Sequence, residues 1–431
     1  MSSPSQSAPI PSEVHFPKLF KAFRMAIQPS SMMIALMAVG AICFAGWVMD
    51  FTGSVVTNAH GDTEVDVYTT NPDALGPFIQ AYKANGPRTG VFSTTWRFLA
   101  KKLHAAVYSL FELDMAGINE NINYCFKAVV WAARNHFVYC IIFFIIKLAV
   151  LAVTGGAICR IAALQFARGE KPGIVEALQF ASKRFTNFFF APLLPLFGII
   201  LVGFSVWLIG FAGNISMVGE WIIVVFMPLT LLAGVLIALL AIGGLAGFNM
   251  MFPAVAYDGC DCFDAFGRAF HYVYSKPWKI AFYSAIATVY GTVCYVVVRF
   301  FAFLVLMATY TALDAGIAGS YAQGNKLVKI WAVPALVDLI RPSTQMVGPS
   351  ETYAAYVIYA WLLLVFGLVI SFIVSFYFSA NTIIYALIRN WTDNTNIEQV
   401  YSVAAQSQTD VEVTYGRQFG QPQADSQIKD D

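Results

Sequence analysis

The sequence has 431 residues, of which 58% are hydrophobic and 12% are charged, with a formal net charge of +1 and a mean hydropathy of +0.65. Soluble domains carry about 25% charged residues, so a soluble fold of this composition would have to expose large apolar areas. The near-neutral charge, without a basic patch interleaved with aromatic residues, argues against a nucleic-acid partner. The composition therefore predicts a membrane protein.

Six apolar stretches are long enough to cross a bilayer core of about 30 Å, which needs about 20 helical residues. Because backbone groups in lipid must be hydrogen-bonded within the segment, these stretches predict helices and not strands. They lie at 31–49, 137–153, 188–212, 222–247, 280–309 and 357–387. The second is the weakest, since Lys147 lies inside it. The predicted fold class is all-α, a polytopic membrane protein with about six transmembrane helices and additional interfacial amphipathic helices.

The rest of the chain divides by composition. Residues 1–17 and 404–431 are polar, so both are predicted to be disordered. Residues 18–403 form a single predicted membrane domain, with an external segment at 50–136 and an external loop at 310–352. The first apolar stretch is of span length and is expected to remain as an anchor.

The external regions contain weaker signals. Residues 51–87 are polar, with Gly, Asn, Asp and Pro throughout, and predict irregular structure. Residues 91–134 carry Trp96, Leu99 and further apolar side chains at helical spacing, which indicates an amphipathic helix. It would either lie on the outer leaflet or cap the helix bundle, and capping is the simpler interpretation. Residues 326–340 are too short to span and are predicted to be interfacial or re-entrant.

The Lys and Arg content of the short loops predicts the orientation. The loop 154–187 carries five such residues and 252–279 carries three, whereas 213–221 between them has none. The two basic loops are therefore predicted to be cytoplasmic. Six spans then place both termini in the cytoplasm, with the protein in the inner (cytoplasmic) membrane.

A spacing that recurs suggests an internal repeat. Glu176 follows Gly155 by 21 residues, and Asp264 follows Gly243 by 21 residues. In both places the acidic residue precedes alanine and opens an amphipathic stretch, where a carboxylate would complement the helix dipole. Glu176 and Asp264 are thus the predicted starts of repeated interfacial helices, and three units of interfacial helix, span out and span back would make six spans. The alternative is a coincidence between two amphipathic loops.

At several segments the chain resembles a group of uncharacterised multi-pass bacterial membrane proteins. The segments are Gly155-Gly156-Ala157-Ile158-Cys159-Arg160-Ile161-Ala162-Ala163, Ala191-Pro192-Leu193-Leu194-Pro195, Phe263-Asp264-Ala265-Phe266-Gly267-Arg268-Ala269-Phe270 and Ile384-Tyr385-Ala386-Leu387-Ile388-Arg389. More loosely, the helix-then-span unit is similar to the membrane domain joined to some glycerophosphodiester phosphodiesterases. The resemblance implies a membrane module and no particular reaction, since its motifs concern packing and topology.

Lys147 is the candidate buried charge. It lies ten residues into its predicted span, about 15 Å deep, where a charge is costly and is a functional candidate by default. The predicted spans contain no Asp or Glu, so Asn249 and Asn381 are its candidate polar partners. The alternative is that the Lys147 side chain extends to the interface. Arg160 and Arg299 are predicted to be interfacial anchors at opposite ends of the bundle.

One cluster has the residue types of a metal site. Asp258, Cys260, Asp261, Cys262 and Asp264 lie close together, but a Cys-x-Cys pair without a second pair lacks the spacing of a closed zinc site. A polar turn that caps the next helix is the favoured interpretation. The sequence predicts no metal, no cofactor and no catalytic residue.

Three function classes follow. The leading hypothesis is a non-enzymatic membrane module that binds membrane lipids, membrane protein partners or a second copy of itself. The first alternative is a transporter or channel for a small solute, with Lys147 and the Gly/Pro interruptions lining its path. The second is a membrane-embedded lipid enzyme, for which no converging nucleophile and base are found.

Overall fold

The computed structural model describes residues 16–58, 61–83, 86–317, 326–336, 338–340 and 348–401. Nearly all of these residues are helical, and six helices among them are long and apolar enough to cross a membrane. The prediction of an all-α polytopic membrane protein is confirmed. The elements are α1 (Lys21–Ala26), α2 (Pro29–Met49), β1 (Val55–Val56), α3 (Glu64–Thr70), α4 (Leu75–Tyr82), β2 (Arg88–Thr89), α5 (Val91–Phe111), α6 (Met115–Asn135), α7 (Phe137–Arg168), α8 (Ile174–Lys183), α9 (Phe185–Phe190), α10 (Leu194–Ala212), α11 (Gly219–Asp258), α12 (Cys262–Ser275), α13 (Pro277–Gly316), α14 (Lys326–Ile330) and α15 (Pro349–Asp393).

The spanning helices are longer than the apolar stretches that predicted them. Helices α11 and α13 have 40 residues each and α15 has 45, which at 1.5 Å per residue is about 60 Å or more. Because the hydrocarbon core is about 30 Å thick, these helices continue well beyond it. The predicted loop 310–352 is correspondingly shorter, since α13 ends at Gly316 and α15 begins at Pro349.

Three helices form the centre of the bundle. Each of α7, α11 and α15 contacts the other two, and α2 packs against both α7 and α15. Helices α10 and α13 lie outside this trio, α10 against α11 and α13 against α15. The last turns of the central helices form the main hydrophobic core, in which Ile158, Met251 and Ile383 are fully buried.

Three short helices surround the central trio at the end that carries Tyr401, here called the terminal end. Helix α1 packs on α15, α8 on α7 and α12 on α11. Each short helix buries two alanines one turn apart, all with no exposed surface: Ala22 and Ala26, Ala177 and Ala181, Ala265 and Ala269. Such small residues allow two helix backbones to approach closely.

Helices α8 and α12 are separate from the spans that follow them. The chain breaks at Arg184 after α8 and at Lys276 after α12, both outside helical geometry. Glu176 and Asp264 lie in the first turns of α8 and α12, as predicted. Gly155 and Gly243, however, lie inside continuous helices and do not end them.

The segment between α2 and α7 is more regular than predicted. Residues 51–87 were expected to be irregular, but they contain helices α3 and α4 and strand β1, which pairs antiparallel with β2. Helix α3 forms despite its polar sequence because Thr63 and Asp66 make a reciprocal capping box. Residues 91–134 form the two helices α5 and α6, which turn at Leu113.

This segment has its own small hydrophobic core. Val65, Phe98 and Trp131 are buried together there, and α5 also contacts α2. At the same end of the bundle, Leu327 and Trp331 are buried against α13 and α15, so the described residues 326–336 and 338–340 form a packed segment and not a span. The predicted disordered ends at 1–17 and 404–431 lie almost wholly outside the described residues.

Candidate functional site

Lys147 and its two predicted partners lie around a pair of neighbouring cavities. Lys147 is exposed on the surface of α7 and lines a cavity of about 260 Å³ together with Asn249 and Tyr377. Asn381 lines a second cavity, of about 380 Å³, which Asn249 and Tyr377 also border. The Tyr377 hydroxyl donates to Oδ1 of Asn249 at 2.5 Å. Lys147 and Asn249 therefore line one cavity, and Asn381 lines the neighbouring one.

Arg160 and Arg299, the predicted interfacial anchors, are both buried within the protein. Arg299 is 2% exposed; its Nε donates to the Leu336 carbonyl at 3.0 Å and its Nη1 to the Tyr295 hydroxyl at 2.6 Å. Arg160 is 7% exposed and donates to the carbonyls of Ala256 at 3.1 Å and Tyr401 at 2.8 Å. These arginines stabilise helix and loop ends within the protein, because buried carbonyls need donors.

Arg160 also lines a charged cavity, here called the basic pocket. It has a volume of about 540 Å³ and lies between α7, α8 and Tyr401 at the terminal end. Its polar lining consists of Arg160, Glu176, Gln179, Lys183, Arg184, Asn187 and Tyr401. Three of these side chains are cationic and one is anionic, which leaves a net of two positive charges. Within the described chain, no carboxylate lies within 4.0 Å of the three cations.

Two aromatic rings hold the arginines of the basic pocket in place. The Arg160 guanidinium lies 4.4 Å from the centre of the Phe180 ring, and the Arg184 guanidinium lies 4.5 Å from the centre of the Tyr401 ring. Arg184 also donates to the carbonyl of Gly259. Stacking on aromatic faces fixes a guanidinium while leaving further N–H groups at its edge. The pocket is thus preorganised to present N–H donors.

Residues 394–401, here called the strap, contribute Tyr401 to the lining of the pocket. Main-chain carbonyls hold the strap to the helix ends: among them, Ile397 accepts from Tyr257, Gln399 from Arg389, Val400 from Arg168 and Tyr401 from Arg160. In the other direction, the Tyr401 N–H donates to the Tyr257 carbonyl at 2.9 Å. The position of the Tyr401 ring therefore depends on the packed ends of the central helices.

A second charged cluster lies beside the pocket but is neutralised internally. The buried carboxylate of Asp258 is 3.1 Å from Arg389 and 3.3 Å from Arg268, and it accepts from the Tyr385 hydroxyl. Nearby, the Tyr272 hydroxyl donates to Asp393 at 2.5 Å, and burial raises the pKa of Tyr272, so it remains a donor at neutral pH. This cluster connects α11, α12 and α15.

The predicted polar turn near Asp258 is a helix cap. The Asp261 side chain accepts from the Asp264 N–H at 2.8 Å and caps α12. Burial raises the pKa of the Cys260 thiol to about 12, so it is not a reactive thiolate at neutral pH. Among the residues that the structure describes, no group of three His, Cys, Asp or Glu side chains has the arrangement of a metal site.

The basic pocket has the chemistry of an oxyanion site. Guanidinium and ammonium groups donate several charge-assisted hydrogen bonds, which suit a phosphate or carboxylate. Sequence reasoning identified Arg160 but not Lys183, Arg184 or Tyr401 as parts of one site. The charges of the loop 154–187 were interpreted as an orientation signal, and Tyr401 lies 241 residues from Arg160 in the chain.

The interpretation of this site depends on its geometry. No family model matches the chain, and neither the curated proteins nor the solved structures include a significant match to it.

Proposed function

We propose that this chain is a non-enzymatic protein of the bacterial inner membrane that binds the phosphate of an anionic lipid in the basic pocket. The observation that carries the proposal is the net charge of two on a 540 Å³ cavity whose arginines are stacked on Phe180 and Tyr401. Basic pockets between membrane helices at the cytoplasmic side are a recurrent means of binding lipid headgroups. A lipid enzyme would require an activated nucleophile in addition, and the lining of the pocket includes no Ser, Thr, Cys or His side chain among the described residues.

The proposed site can be tested by the lipids that remain bound. Protein purified from bacterial membranes in mild detergent should retain anionic phospholipid, detected by mass spectrometry. Lys183→Gln should retain less, because a charge-assisted hydrogen bond is lost. Lys171→Gln is the matched control, since it removes the same charge from the same loop outside the pocket. Equal lipid retention in the two variants would contradict the proposal.

The pocket would face the cytoplasm. The basic loops 154–187 and 252–279 lie at the terminal end with the pocket, and such loops are retained in the cytoplasm. In a cysteine-free background, Ser182→Cys in α8 should be protected from an impermeant thiol reagent added to intact cells. Asp73→Cys, in the segment between α2 and α7, should react. The reverse pattern would show the opposite orientation.

We also propose that the bundle consists of three repeated units, each a short helix, an outer span and a central span. The units would be α1–α2–α7, α8–α10–α11 and α12–α13–α15. Two features support this division: the alanine pair that each short helix buries, and the left-handed residue that follows each central helix. These residues are Gly169 (φ 73°), Gly259 (φ 64°) and Asn394 (φ 51°).

The alternative function, a transporter for a small anion, is favoured by one observation. Lys147, Asn249, Tyr377 and Asn381 border two adjoining cavities and so place four polar side chains along one path. If the protein is such a transporter, reconstituted vesicles should take up inorganic phosphate, and Lys147→Met should abolish this uptake. The lipid-binding proposal expects no such uptake and an unchanged or higher stability of the variant, because removing an unpaired charge from the membrane relieves its desolvation. Lysine-dependent uptake would contradict the lipid-binding proposal.

A further inference from the structure

The larger of the two adjoining cavities is a mainly apolar groove with a row of hydroxyl groups on one side. Its volume is about 380 Å³, and it is bordered by α13 and α15 with Asn249 of α11. Ser284, Thr288 and Thr292 follow one another at intervals of four residues along α13, so they lie on one helix face. A row of hydroxyls on a spanning helix is unusual where lipid is the neighbour, because lipid offers no hydrogen-bond partner.

The groove lies within the apolar stretches of its helices, since Thr288 falls inside 280–309 and Phe376 inside 357–387. Thr288 is 11 residues from the start of α13 at Pro277, which is about 17 Å along the helix axis. Asn249 is nine residues from the end of α11 at Asp258, about 14 Å along that axis. A ligand therefore reaches the groove from within the bilayer and must have an apolar body.

The lining of the groove carries no charge. It contains no Asp, Glu, Lys, Arg or His side chain among the described residues. An ionised headgroup would be desolvated there without a counter-charge, which is strongly unfavourable. The groove therefore suits an uncharged ligand, in contrast to the basic pocket.

The groove still offers both donors and acceptors. The Thr288 and Thr292 hydroxyls donate to the carbonyls of Ser284 at 2.8 Å and Thr288 at 2.9 Å, so their oxygens remain acceptors. The side-chain oxygen of Asn249 accepts from Tyr377, which leaves the amide N–H groups of Asn249 as donors. A ligand that both donates and accepts, such as one with a hydroxyl and an ester, complements this pattern.

The size of the groove and its apolar wall fit the same ligand class. A volume of about 380 Å³ is at the lower end of the roughly 300–1,000 Å³ of small-molecule sites, which suits a glycerol ester but not whole acyl chains. Phe372, Phe376 and Ile384 form the apolar part of the lining. Acyl chains would leave the groove toward the bilayer, where the spanning helices expose apolar side chains.

We propose that this groove is a second, independent lipid site that binds an uncharged glycerolipid of the diacylglycerol class. The glycerol hydroxyl and ester groups contact Asn249, Thr288 and Thr292, and the acyl chains extend into the bilayer. This proposal is independent of the basic pocket, because the groove could bind the glycerolipid whether or not that pocket binds lipid phosphate.

The test compares binding of dioleoylglycerol, phosphatidylglycerol and free glycerol to the full-length protein by native mass spectrometry. The groove variant is Thr288→Val with Thr292→Val. Valine has the shape of threonine, and the two hydroxyls donate only to carbonyls of their own helix, so this variant is expected to fold. The control is Thr230→Val on α11, whose exposed hydroxyl donates to the Met227 carbonyl at 2.9 Å outside the groove.

The wild-type protein and Thr230→Val should bind dioleoylglycerol equally, and the groove variant at least tenfold more weakly. Phosphatidylglycerol binding should be the same in all three, which separates this site from the basic pocket. Binding of free glycerol alone would show a soluble ligand and overturn the proposal, as would equal dioleoylglycerol binding by the groove variant. If the groove variant melts at a lower temperature than the wild-type protein, Asn249→Leu replaces it as the test variant. Asn249→Leu should also bind dioleoylglycerol at least tenfold more weakly, and unchanged binding would overturn the proposal.

Discussion

Replacing Asp258 with asparagine is expected to lower the free energy of unfolding by about 3–5 kcal/mol. The Asp258 side chain is 7% exposed and that of its partner Arg389 is 11% exposed, with 3.1 Å between the charged groups. Removing the carboxylate charge leaves the Arg389 guanidinium buried without a counter-charge, and it weakens the ion pair with Arg268 at 3.3 Å. The loss would appear as a lower thermal or denaturant midpoint of the purified protein in detergent.

Asp264→Asn is the matched control for this prediction. Asp264 also contacts Arg268, at 3.5 Å, but its side chain is 59% exposed. Exposed pairs contribute about 0–1 kcal/mol, because water and salt screen them. A similar loss of stability in the two variants would contradict the structural role assigned to the buried cluster.

Gly259→Ala is the second substitution with a large expected effect, and it acts on both stability and the basic pocket. Gly259 has φ 64°, and a Cβ atom placed on it would lie 2.4 Å from the Tyr401 ring. The substitution combines backbone strain of about 1–2 kcal/mol with displacement of the ring that stacks on Arg184. We expect a lower midpoint of unfolding and weaker binding of anionic lipid.

Gly169→Ala separates these two contributions. Gly169 has φ 73°, but nothing lies within 4 Å of the position its Cβ would take. This variant should show the strain alone, with a smaller loss of stability and unchanged lipid binding. Equal lipid binding by the two alanine variants would show that the position of Tyr401 does not matter for the pocket.

The six spans were predictable because hydropathy reports contact with lipid, but their ends were not. The predicted second span ended at residue 153, whereas α7 continues to Arg168. Residues such as Gly155 and Gly156 lie in this continuation, where protein replaces lipid as the neighbour. Cβ atoms there would lie 2.4 Å from Phe378 and 2.9 Å from Phe188. The two glycines allow this close packing inside the helix.

The proposed repeat is only partly visible in the sequence. Ala177 and Ala265 are 88 residues apart, but Ala22 and Ala177 are 155 residues apart. The difference arises because the segment between α2 and α7 is inserted within the first proposed unit. A search for one fixed spacing therefore finds two of the three alanine pairs.

The candidate site was harder to predict than the fold. Lys147 attracted attention because a charge within an apolar run is conspicuous, and the structure places it beside Asn249 but also on the protein surface. The basic pocket depends on Tyr401, which long-range folding brings to Arg160 and Arg184. Charged loop residues, taken one at a time, do not reveal which of them converge.

The central claim is tested most directly by measuring the affinity of the basic pocket for an anionic lipid. Purified protein in phosphatidylcholine nanodiscs would be titrated with phosphatidylglycerol and, separately, with inorganic phosphate. Wild-type protein and Lys171→Gln should bind phosphatidylglycerol equally, and Lys183→Gln combined with Arg184→Gln at least tenfold more weakly, a difference of about 1.4 kcal/mol. Equal affinity of the double variant, or binding of inorganic phosphate in preference to the lipid, would contradict the account.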